Sequence, residues 1–78
     1  MKPTVGRIVF YWPPLADGAT HGDKDMRAAV VTYVHSDTMV NMHVFGQDMA
    51  DKEAGVQTSV EIMSGDRQGY CWSWPPRN

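Results

Sequence analysis

The sequence is poor in cysteine, in clustered positive charge and in long apolar runs. Cys71 is its one cysteine, lysines and arginines never gather into a run, and no stretch approaches the ~20 apolar residues of a membrane-spanning helix. A lone thiol excludes an intrachain disulfide framework and suits a reducing compartment. Nine acidic residues against seven basic ones give a net charge of −2, so the electrostatic footprint of a general nucleic-acid binder is missing. Met1-Lys2-Pro3 opens no secretion signal. The expectation is a soluble, cytoplasmic protein without a membrane anchor.

Large apolar side chains are abundant for so short a chain. Six Met, three Trp, three Tyr and two Phe favour a folded domain, despite five Pro and seven Gly. With 78 residues there is room for one domain, and a chain of this size buries only roughly 60% of the surface that its unfolded form exposes. Self-association would enlarge a small core.

The stretch from Met26 to Phe45 organises the rest. Val30, Val31, Thr32, Tyr33 and Val34 are β-branched or aromatic and fit a pleated sheet better than a helix. Ser36, Asp37 and Thr38 break the run, which predicts a β-hairpin. In its second strand Val40, Met42 and Val44 alternate with Asn41 and His43, so one face meets a core and the other meets water or a ligand.

Before the hairpin, Val5 to Trp12 reads as a first strand. Ile8, Phe10 and Trp12 fall on one side, with Arg7, Val9 and Tyr11 on the other, so both faces carry bulk. Pro13-Pro14 ends it, and Leu15 to Asp25 follows as a loop rich in turn residues. After the hairpin, Gly46 to Gly55 is a polar loop with room for one helical turn at Asp48 to Glu53. Val56 to Ile62 alternates as a fourth strand, with Val56, Val60 and Ile62 pointing inward. A turn at Ser64 to Gly69 leads to a last strand, Tyr70 to Trp74, whose three aromatics share one face. Five short strands, a long first loop and tight later turns predict an all-β fold. The expected architecture is a small, partly open five-stranded Src-homology-3-like barrel, completed or stabilised by homo-oligomerisation, because closing the sheet on itself hides strand edges. A sandwich-like sheet completed by a second subunit is the alternative.

Several side chains suggest ligand binding, each beside a plainer reading. Trp72, Trp74 and Tyr70 offer flat faces on which a base could stack, at ~1–3 kcal/mol per base, or they seal the barrel. Tyr11, Tyr33 and Trp12 face the same choice. Arg7 and Arg27, next to apolar runs, could present a planar fork to phosphate or pair with a carboxylate. His43, on the polar side of its strand, could hydrogen-bond a ligand or a neighbouring subunit. The spacings of His21, His35 and His43 match no metal-ligand signature, and no serine has a base in a recognisable motif. Neither a cofactor, a metal nor a catalytic residue is expected.

GRIVFYW near the start, RAAVVTYVHSDTMVNMHVF in the middle and WSWPP at the end resemble a family of small, mostly uncharacterised phage and prophage proteins. The resemblance rests on Gly6 to Val9, Arg27 to Val31 and Trp72 to Pro75 and covers nearly the whole chain. Many relatives have His where this chain has Phe10 and Ser73, which weakens any common histidine chemistry. The family carries no settled catalytic residues. Membership implies a phage setting in the cytoplasm of an infected or lysogenic host, where small proteins act by binding. One such task is to sequester a nucleotide-derived alarm of host defence, a cyclic dinucleotide or an ADP-ribose derivative. The corresponding expectation is a homo-oligomer holding such a ligand through Arg7, Tyr11, Arg27, Tyr33, His43, Trp72 and Trp74. The competing expectation is a protein-interaction module, acting on a host factor or serving as a minor virion component.

Overall fold

A computed structural model describes residues 2–14, 25–64 and 69–75. Five strands close into a barrel in the order β1-β2-β3-β4-β5. They are β1 (Ile8–Trp12), β2 (Arg27–Val34), β3 (Met39–Val44), β4 (Gly55–Ile62) and β5 (Cys71–Ser73). The described residues contain no helix. This is the all-β, five-stranded barrel that the sequence pattern implies, with the ring closed where a partly open one is expected. The loop expected at Leu15 to Asp25 and the turn expected at Ser64 to Gly69 lie almost wholly outside the described residues.

An odd number of strands cannot close a ring with every pairing antiparallel, so one seam has to be parallel. That seam joins β4 to β5, where Glu61 pairs with Cys71 and Ile62 with Trp72. The other pairings are antiparallel. The short seam is reinforced through one carbonyl. Thr38 O accepts hydrogen bonds from the Trp72 indole Nε1–H (3.0 Å) and from the Ile62 N–H (2.8 Å), tying the β2–β3 turn to β4 and β5. Met63 N–H donates to Trp72 O at 2.7 Å and extends the seam by one bond.

Inside, Val9, Tyr11, Ala29, Val31, Val40, Met42, Val44, Val60 and Trp72 form one core. Alternation in β3 runs as the sequence predicts, with Val40, Met42 and Val44 inward. In β4 it does not. Between Val40 and Met42 the partner residue steps from Val60 to Gln57, so β4 carries an extra residue. Ser59, in the left-handed region at φ 54°, marks this bulge. One extra residue inverts the sidedness of everything before it. Val56, expected inside with Val60 and Ile62, therefore faces out and is 66% exposed. Asn41 braces the bulge, its Oδ1 accepting the Ser59 N–H at 2.8 Å. A second irregularity lies in β2 between Val31 and Tyr33 and turns Tyr33 outward.

Two more expectations change. The first strand begins at Ile8, not Val5: Arg7 N–H donates to Thr4 O at 3.0 Å, and Gly6 takes φ 91°, a turn that glycine enters without strain. Residues 46–54 form bends and turns, not a helical turn, because the carboxylates of Asp48 and Asp51 capture the local N–H groups.

Candidate functional site

The barrel divides the expected ligand-binding residues into three groups. Tyr11 and Trp72 belong to the core, with no exposed surface. A ligand cannot stack on either ring, because barrel closure has already covered both faces with apolar neighbours. Trp74 packs edge-on against Trp72, ring centroids 5.1 Å apart, and is half-buried. Trp12 is held on the outside of the wall, its Nε1–H donating to Ser73 Oγ at 2.9 Å.

Arg27 is committed to the fold. Its Nε and Nη2 donate to the two carboxylate oxygens of Asp51 at 2.9 and 3.1 Å, and its Nη1 donates to Asp25 O. Asp51 also accepts the N–H groups of Gln47 (2.8 Å) and Glu53 (3.0 Å). The guanidinium beside it, followed by these two N–H donors, holds the Asp51 carboxyl well below the ordinary 3.8. The pair thus pins loop 46–54 to the start of β2. An open hollow of about 400 Å³ lies there between Arg27 and Lys52, but the planar fork expected for phosphate is occupied by Asp51.

Arg7, Tyr33 and His43 are exposed. The Arg7 guanidinium lies 5.4 Å from the Trp74 ring centroid, a cation–π contact. Tyr33 packs edge-on against His35 at 4.8 Å, and His43 tilts against Phe45 at 5.7 Å. The tautomer of His35 follows from its neighbour. Because Asn41 Oδ1 is fixed as an acceptor by the Ser59 N–H, His35 Nε2 carries a proton and donates to the same oxygen at 2.9 Å.

His43 also lies in an arrangement that spacing along the chain did not reveal. Register places Ile8 beside Val30, Val30 beside His43, and His43 beside Val56. At about 4.8 Å between neighbouring strands, this outward row crosses four strands over roughly 14 Å. Phe45 lies two residues beyond His43 just past β3, its N–H donating to Ala28 O at 2.9 Å, and Tyr33, opposite Asn41, lies one outward pair further along the hairpin on the other side of the row. Exposure is 48% at Ile8, 49% at Phe45, 56% at Tyr33 and 66% at Val56. None of these residues carries a formal charge. Isolated exposed apolar side chains are ordinary, but a contiguous group is the mark of a contact surface.

The outward bulk of β1 was readable as a signal for this surface. The exposure of Val56 was not, since it depends on the Ser59 bulge. Among the described residues, no group of three or more His, Cys, Asp or Glu side chains could hold a metal ion. Among the same residues, no helix is long and apolar enough to cross a membrane. No protein-family model matches this chain, and neither a curated protein nor a solved structure is significantly similar to it.

Proposed function

We propose that this chain is a non-enzymatic binding protein that works through protein contact at the outer face of β1 to β4. One observation carries the reading: Ile8, Tyr33, Phe45 and Val56 stand about half exposed or more on one uncharged face. An open sheet face of this kind offers area without a cavity. It suits a protein partner better than a small molecule, which needs most of its surface enclosed. The phage setting implied by the Gly6, Arg27 and Trp72 motifs is compatible with such a module, acting on a host factor or within a virion.

The second reading, sequestration of a nucleotide-derived signal, retains support from Arg7 over Trp74, a cation beside a flat ring at one edge of the barrel. Its other expected contacts are weakened by the burial of Tyr11 and Trp72 and by the Arg27–Asp51 pair. Thermal melting against cyclic dinucleotides and ADP-ribose isomers separates the two. A tight nucleotide at a hundredfold excess over its dissociation constant adds ~2.7 kcal/mol to stability. The protein-contact reading expects no shift with any nucleotide. It also expects recovery of a bound protein that is lost when Ile8 and Val56 are both replaced by Asp. A nucleotide-dependent shift that Arg7→Ala abolishes would overturn it.

A further inference from the structure

The outer face specifies its partner more closely than its apolar character alone. We propose that it is the contact of a homodimer, in which two copies pack face to face about a two-fold axis running along the strands between β2 and β3. This rests on the protein-contact reading of the same face and names the occupant.

Area is the first argument. Side chains of this size at half exposure leave on the order of 100 Å² each, so Ile8, Tyr33, Phe45 and Val56, with smaller shares from Val30, His43 and Ala28, present roughly 500 Å². A standard interface removes about 800 Å² from each partner, and its more apolar forms draw about 65% of that from apolar atoms. The face therefore supplies the apolar part of one such interface, leaving a polar rim to complete it.

Charge is the second. Every member of the row is formally neutral at pH 7, with His43 counted as neutral, although the chain has net charge −2. Two copies thus bring no like charges into the centre of contact, while a strongly charged partner would find nothing there to pair with.

The order of the row is the third. A two-fold axis along the strands reverses it, so Ile8 meets the partner's Val56 and Val30 meets the partner's His43. Apolar side chains then lie opposite each other at both ends. The two sheets keep their strands nearly aligned, the ordinary arrangement for sheets stacked face to face.

Sedimentation velocity over a wide concentration range tests the proposal on the full chain. The expected result is a species of twice the 8.7 kDa chain mass. Val56→Asp and, separately, Ile8→Asp should each weaken it about tenfold or more, with circular dichroism unchanged, while Asp37→Asn at the exposed β2–β3 turn leaves it intact. A short thiol-reactive cross-linker tests the axis: Ile8→Cys mixed with Val56→Cys should give cross-linked dimers in much higher yield than Ile8→Cys alone. A monomer at every concentration would overturn the dimer, as would a dimer indifferent to both Asp variants or one whose Ile8→Cys copies cross-link to each other. If the chain is monomeric but still recovers a protein in a manner dependent on Val56, the homodimer falls and the protein-contact reading stands. If it does neither, both fall.

Discussion

The inner and outer sides of the barrel wall are made from the same strands and from similar side chains, yet they have different duties. Val9, Val31, Val40, Met42 and Val44 are lost to solvent inside, while Ile8, Val30 and Val56 line the outside of the same strands. Inside, every apolar group is already matched by another from its own chain. Outside, the described residues leave Ile8, Phe45 and Val56 about half exposed or more. Hydrophobicity thus does not identify a core residue; the side of the wall does, and a single bulge at Ser59 moves Val56 from one side to the other.

The sharpest way to break this distinction is to compare truncations on the two sides. Trp72→Ala removes the largest core side chain and the indole donor to Thr38 O, and should cost about 3–5 kcal/mol in denaturant unfolding. Against a total of about 5–15 kcal/mol for a small domain, that is a large fraction. A cost below about 1 kcal/mol would mean that the β4–β5 seam does not depend on it.

The loop clamp should be revealed by acid. Asp51 has its folded-state pKa lowered, so its contribution is fully present above the ordinary value of 3.8 and is lost as pH falls from there through the folded value. Asp51→Asn should lower the melting temperature at neutral pH and flatten its further decline in acid. An unchanged acid limb would show that other carboxylates control it.

A smaller effect of opposite sign is expected inside the barrel. The Tyr11 hydroxyl is buried and has no hydrogen-bond partner among the described residues, and burial, followed by the nearby Glu53 charge, pushes its pKa well above the ordinary 10.0. Tyr11→Phe removes that unsatisfied group and should stabilise the fold by about 1 kcal/mol. Because the folded pKa is raised, the neutral phenol's contribution is present below 10.0 and lost as pH rises above it, so the Phe variant should also resist base better. Destabilisation would indicate that the hydroxyl makes a contact in solution.

The smallest change should come from outside: Ile8→Thr, read on the monomer at low concentration, should stay within about 0.5 kcal/mol of the parent. A loss comparable to that of Trp72→Ala would erase the difference between the two sides.

Much of the fold was legible in particular residues. The Ser36-Asp37-Thr38 break set the hairpin, the alternation from Val40 to Val44 set the inward side of β3, and Pro13 marked the end of β1. The candidate site was legible only in fragments. Of the residues expected to bind a ligand, Arg7, Tyr33 and His43 are exposed, whereas Arg27 proved to be a structural clamp whose partner, Asp51, lies 24 residues away. Tyr11 and Trp72 could not be distinguished from ligand-binding aromatics by spacing alone. The spacing that places a ring on one side of a strand does not say whether that side is closed.

By itself the sequence determined strands, turns and the two-residue period, since these depend on backbone sterics and on neighbours a few positions apart. Only the tertiary structure decided which aromatic rings became inaccessible, which arginine was consumed by a carboxylate, and that Ile8, Val30, His43 and Val56 stand in one row. Those outcomes depend on strand register and ring closure, which bring together residues that are distant along the chain and are shifted by a single extra residue in one strand.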